Sequence, residues 1–119
     1  MVVNGACKDN DFKHMNEVKD RSFKGKDLNI KFIEDHSLIA VQGPKAHKLM
    51  EDILGISLVD MDFMSSQEII YKKENAKIRL SRCGYTGEDG FEISVPNSSV
   101  VNFVEHLRSF KDDNSQSIA

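Results

Sequence analysis

Between Gly84 and Glu92 the chain sets three glycines, a tyrosine and three carboxylates into the run Gly84-Tyr85-Thr86-Gly87-Glu88-Asp89-Gly90-Phe91-Glu92. Glycine tolerates φ > 0 and lets a ligand come close to the backbone, so the run reads as a shaped loop around a small molecule. Tyr85 offers a rigid flat wall or a hydroxyl at low entropic cost. A carboxylate accepts paired hydrogen bonds from a planar group with adjacent N–H donors, such as an amino-pyrimidine-like edge. Glu88, Asp89 and Glu92 would serve equally as a solvated acidic turn, and spacing alone leaves both readings open.

The strand that follows separates the carboxylates. Phe91, Ile93 and Val95 alternate with Glu92 and Ser94 and are stopped by Pro96. A period of two puts the three apolar residues on one face and Glu92 on the other. Ahead of the loop, Arg82 shares a face with Ile78 and Leu80 if the strand is regular to that point. Either a bulge turns it out or it is paired near the buried face, and a sheet-edge arginine bonded to a nearby carbonyl or carboxylate is as good a reading as a ligand contact. Asn4 precedes a turn, where Asn serves the backbone more often than a ligand.

The remaining pattern supplies the scaffold. Val2-Val3-Asn4 reads as a strand end and Gly5-Ala6 as the turn out of it. From Asp9 to Arg21, Phe12, Met15 and Val18 form a thin helical stripe, a peripheral helix on a sheet, broken by Gly25. Leu28 to Ile33 alternates and Ser37 to Val41 is almost continuously apolar, which suggests a hairpin with the second strand more central. Gln42-Gly43-Pro44 makes a strand-to-helix corner. Ala46, Leu49, Met50, Ile53 and Leu54 mark the next helix's buried face, and Gly55 ends it. Ile56 to Phe63 fits a loop or a short strand. Glu68–Lys72 and Ala76–Ser81 form a second hairpin around Glu74-Asn75. Asn97 or Ser98 caps a last helix striped by Val100, Phe103, Val104, Leu107 and Phe110. This order predicts an α+β fold, a mainly antiparallel sheet with helices on one face.

Composition narrows the function. A net charge of −3 over 119 residues gives no basic excess for nucleic acid. No segment reaches the roughly 20 apolar residues of a membrane span, and the residues after Met1 do not read as a secretory signal. Cys7 and Cys83 fall in no metal or CxxC spacing and read as two reduced thiols; the scattered histidines His14, His36, His47 and His106 suggest no metal site. No serine stands in a nucleophile motif. The opening Val2-Val3 and the polar close Lys111 to Ala119 read as a segment of a longer polypeptide: residues 1–110 as its body and 111–119 as a polar linker or tail.

The run Arg82-Cys83-Gly84 through Val95-Pro96 closely resembles the aminomethyltransferase, or T-protein, family of the glycine cleavage system. Val2-Val3-Asn4 with Cys7 and Asp11, Leu38 through Pro44, and Phe63-Met64 resemble further family segments in the same order, so the resemblance covers nearly the whole chain. It implies a ferredoxin-like piece of the folate-binding T-protein fold, with tetrahydrofolate as cofactor and lipoylated H-protein as partner. The implied activity moves a one-carbon unit from aminomethyl-lipoyl H-protein to tetrahydrofolate and releases ammonia. By the same resemblance Glu92 holds the pterin ring, Tyr85 helps line its pocket, and Asn4 and Arg82 join the folate-binding set.

The departures limit what the chain does. The family's catalytic aspartate lies upstream of Val2 and a further folate-binding arginine downstream of Ala119, so no catalytic residue is assigned here and the chain by itself is expected to be inactive. Gly5-Ala6 reverses the family order after the asparagine. An exposed apolar edge, and with it self-association, is expected where strands are missing. The family is mitochondrial in eukaryotes, which implies the matrix there and the cytoplasm in bacteria. Two relatives compete: the folate-binding half of a sarcosine- or dimethylglycine-oxidising flavoenzyme, and a non-enzymatic iron–sulfur-assembly protein whose motif places a cysteine inside a Gly-Cys-Tyr-type run.

Overall fold

The computed structural model describes residues 1–110, which divide after Ile33 into two compact units. In the first, Asn4 leads into a 3-10 turn, Gly5–Cys7, and helix α1, Lys8–Ser22. Asp9 and Asp11 sit in the first turn of α1 and Lys19 and Arg21 in its last, each matched to the helix dipole. The helix contains no buried residue. Phe12 stacks on Phe32 with ring centroids 4.4 Å apart.

The second unit contains β1, His36–Gln42; α2, Ala46–Leu54; β2, Ser66–Tyr71; β3, Ala76–Arg82; β4, Gly90–Pro96; and α3, Val100–Ser109. Its four strands form an antiparallel sheet in the order β1-β4-β3-β2. The strands β1 and β2 occupy opposite edges, so α2 and the stretch after it carry the chain across the sheet. Both α2 and α3 pack against β4 and against each other. The core lies between them: Leu49, Met50, Ile53 and Leu54 from α2 and Phe103 and Leu107 from α3 meet Phe91, Ile93 and Val95 of β4 and Ile78 and Leu80 of β3. Leu58 and Met61, from the crossing stretch, are buried in the same core. The Tyr71 ring is buried edge-on to Phe103, and its hydroxyl finds His106 Nδ1 at 2.7 Å, so the phenol enters the core with a partner.

This is the expected α+β arrangement, with α2 and α3 on one sheet face. The α2 face is the expected one, and Gly55 ends that helix at φ 63°. The β2–β3 hairpin turns at Asn75, whose φ of 53° is the left-handed conformation Asn tolerates.

Several expectations are corrected. Val2–Asn4 joins no strand, although Asn4 itself is extended. Leu28–Ile33 is not a strand, and β1 pairs with β4 instead. Phe32 of that stretch stacks on Phe12 of α1, while β1 sets Ile39 opposite Ile93 and Ser37 opposite Val95 of β4. Nor is β1 central; it is an edge. Its Ile39 and Val41 pack toward the core, but Leu38, on the other face, is 46% exposed. The N-cap of α3 is Ser99, with no side-chain capping bond. Asn97 is held elsewhere: it accepts from Ser37 Oγ at 2.8 Å and donates to Glu34 O at 2.9 Å, tying the end of β4 to the start of β1. The expected tail, 111–119, lies outside the described residues.

The packing gives a direct test. Phe91 is fully buried, so Phe91→Ala should cost about 3–5 kcal/mol in urea unfolding, whereas Leu38→Ala on the outer face should cost under about 1 kcal/mol. Equal losses at the two positions would contradict the assignment of faces.

Candidate functional site

The glycine-rich loop spans the turn between β3 and β4 and is closed at its base by polar contacts. Arg82 ends β3 opposite Phe91. From there its Nε and Nη2 donate to the Asp89 carboxylate at 3.1 and 2.7 Å, and Nη1 donates to the Met61 carbonyl at 2.7 Å. The guanidinium also lies 5.9 Å from the Phe91 ring centroid. The alternative of pairing near the buried face is therefore the one adopted. Cys83 N donates to Gly90 O across the neck, and Asp89 Oδ1 accepts from Gly90 N. Gly87 takes φ 87°, which turns the loop tip at no steric cost. Tyr85 stands on this loop, 75% exposed.

The three carboxylates of the run thus have different surroundings. Asp89 is engaged by Arg82. Glu88 is exposed on the loop. Glu92 stands on the sheet face opposite Phe91, Ile93 and Val95, which are all fully buried. Its cross-strand neighbours are small, Ala40 on β1 and Ser81 on β3, and Ser94 follows it on the same face of β4. Further out on that face the polar pattern continues, with Glu68 of β2 paired to Arg79 at 2.8 Å and to Lys77.

Cys83 is a site neighbour that motif reading passed over. Burial raises its thiol pKa above the ordinary value, and the nearby Glu92 adds to that shift through its charge and side-chain hydrogen bond, with a backbone hydrogen bond to Glu92 opposing it. Ser81 and Cys83 alternate onto the face of Glu92, so the signal was present in the strand period. Asn4 belongs to the first unit. Its backbone carbonyl accepts from Cys7 N at 2.9 Å, and its side chain makes no capping bond. Among the described residues no group of three His, Cys, Asp or Glu is gathered for a metal ion, and no helix is long and apolar enough to cross a membrane.

An antiparallel sheet with α2 and α3 on one face, and a carboxylate beside a closed glycine-rich loop on the other, is the α+β class that the second unit defines. The chain belongs to the family described as the GCVT N-terminal domain, which matches residues 1–115. It is 38% identical over 110 residues to the mitochondrial aminomethyltransferase of Dictyostelium discoideum, covering 88% of this chain and 27% of that protein. Identity to the mitochondrial aminomethyltransferase of Flaveria anomala is 38% over 108 residues, 90% of this chain and 26% of the relative. For the Saccharomyces cerevisiae protein of the same name it is 37% over 113 residues, 90% and 28% respectively. The chain therefore spans about a quarter of the length of these curated relatives.

The closure of the loop is pH-sensitive in a defined direction. Hydrogen bonding to Arg82 holds the Asp89 carboxyl below the ordinary aspartate range, against the opposing effect of burial. Arg82 is shifted up by the same bond. A depressed carboxylate contributes stability that is complete above its unfolded pKa of about 3.9 and lost as pH falls through the folded value. The two side chains are 20% and 29% exposed, so Asp89→Asn should cost about 1–2 kcal/mol at neutral pH. In urea unfolding across a pH series, the gap between wild type and Asp89→Asn should narrow below about pH 4. A gap that stays constant to low pH would contradict the pairing.

Proposed function

We propose that this chain forms one wall of the folate site of an aminomethyltransferase of the glycine cleavage system. In that reading the parent enzyme moves the one-carbon unit from the aminomethyl-lipoyl arm of H-protein to tetrahydrofolate and releases ammonia. The observation that carries the reading is Glu92. It is held on the sheet face opposite the core, between the small side chains of Ala40 and Ser81 and beside the loop that bears Tyr85. A reduced pterin carries adjacent N–H donors on a flat ring, which a carboxylate accepts in pairs and a tyrosine ring can flank.

Each assigned residue has a separate part. Glu92 accepts from the pterin edge and Tyr85 supplies a wall. Arg82, engaged with Asp89 and Met61, serves the ligand by holding the loop in shape. Asn4 rests on the resemblance alone. Tetrahydrofolate supplies the acceptor for the one-carbon unit, and these residues bind and orient it. No residue of the chain is assigned a catalytic proton or nucleophile. Lipoylated H-protein is the partner of the parent enzyme. The names of the relatives support a mitochondrial matrix setting if the source is eukaryotic.

Self-association through the edge of β1 is part of the same proposal. Asp35 O and Gly43 N both point toward β4, so by alternation the amides and carbonyls of Leu38 and Ala40 turn outward.

Isothermal titration of the purified chain with tetrahydrofolate tests the reading. Glu92→Gln should weaken binding by about tenfold or more, because a charge-assisted pair becomes a neutral one, while the unfolding midpoint stays near wild type. Unchanged affinity in Glu92→Gln, or no binding by wild type, would overturn it. In a coupled assay with lipoyl-loaded H-protein the chain should show no turnover, and measurable turnover would contradict the assignment of catalysis to residues beyond it.

A further inference from the structure

We infer that Gln42, at the end of β1, is a positioning residue for the loop that presents Tyr85 beside Glu92 of β4; the inference rests on the folate reading above and adds to it the residue that holds the site's shape. Gln42 faces Gly90 in the β1–β4 register. Its side chain crosses the neck of the loop, with Nε2 donating to the carbonyls of Cys83 at 3.2 Å and Phe91 at 3.5 Å. One carboxamide thus bonds to the residue before the first glycine of the loop and the residue after the last. The next residue adds a second tie from the same corner, where Gly43 N donates to Asp89 O at 2.9 Å.

Two glycines of the loop are explained by this side chain. Neither Gly84 nor Gly90 has a positive φ, so backbone conformation does not demand glycine at either place. Space does. A Cβ on Gly90 would stand 2.2 Å from Gln42 Oε1 and 2.4 Å from its Cδ, and a Cβ on Gly84 would stand 2.8 Å from the same Oε1 and 3.0 Å from the Glu88 carbonyl oxygen. The carboxamide occupies the volume that two side chains would otherwise fill. Its Oε1 is buried without a hydrogen-bond partner among the described residues, a cost accepted for placing Nε2 between two strand ends. The corner Gln42-Gly43-Pro44 is therefore more than a strand-to-helix turn: it fixes both legs of the loop, and Glu92 begins two residues beyond the clamped Gly90.

The test compares Gln42→Ala, Gly90→Ala and the double variant in the full chain, reading amide hydrogen exchange and tetrahydrofolate affinity. Gln42→Ala should speed exchange at the Cys83 and Gly43 amides by about tenfold and weaken tetrahydrofolate by about the same factor, with amides of the β2–β3 hairpin unchanged. Gly90→Ala should loosen the loop as well, and adding Gln42→Ala should recover part of that loss because it removes the colliding group. If Gln42→Ala does not fold, Gln42→Met keeps the bulk without the donor and is read the same way. Loop exchange at the wild-type rate in the Gln42 variant, or lost affinity with unchanged exchange, would overturn the positioning role. A wild type that binds no tetrahydrofolate sinks the folate reading alone; the exchange rates still decide whether Gln42 holds the loop.

Discussion

The second unit depends on one constraint: β4 has a side-chain period of two and only one of its faces is covered by α2 and α3. A slip of one residue against β3 would drive Glu92 into the space now filled by Phe91, Ile93 and Val95, leaving an unpaired carboxylate in an apolar core. The register is therefore strongly specified. The β3 register sets Arg82 against Phe91 and Ser81 against Glu92, and that of β1 on the other side sets Ala40 against Glu92 and Gln42 against Gly90. The core and the candidate site are two faces of the same alternation.

The loop itself has little apolar surface to bury, and its shape is held by polar contacts at its base. Arg82 reaches Asp89 and Met61, Gln42 spans Cys83 and Phe91, and Gly43 holds Asp89. This produces a division among acidic residues that look alike in the sequence. Asp89 maintains the loop, Glu88 faces solvent, and Glu92 stands on a strand whose position is set by the core. A carboxylate on such a strand is placed more accurately than one on a loop, which is what recognition of a planar ligand edge requires.

The elements legible in the sequence are those whose local pattern and tertiary role agree. The stripe from Ala46 to Leu54 with Gly55 after it, the Glu68–Ser81 hairpin, and the alternation from Phe91 to Val95 each carry their own period and stop signal. The residues misread were those decided by distant partners. Leu28–Ile33 has a strand's alternation, but Phe32 is met by a ring on α1 instead of a neighbouring strand. The apolar run of β1 suggests a central strand, yet it pairs on one side only. Asn97 has a helix cap's chemistry and uses it on Ser37 and Glu34. For the site, Glu92's face followed from spacing. The Gln42 clamp did not, because its partners lie 41 and 49 residues away.

Amide chemical-shift mapping of tetrahydrofolate on the isotope-labelled chain measures the central claim most directly, since it reports which sheet face meets the ligand. Perturbations should gather at Ala40, Ser81, Glu92 and Ser94 and along the loop from Cys83 to Gly90. Perturbations centred on the groove lined by Ile39, Leu49, Val104 and Leu107, on the helix side of the sheet, would contradict the account.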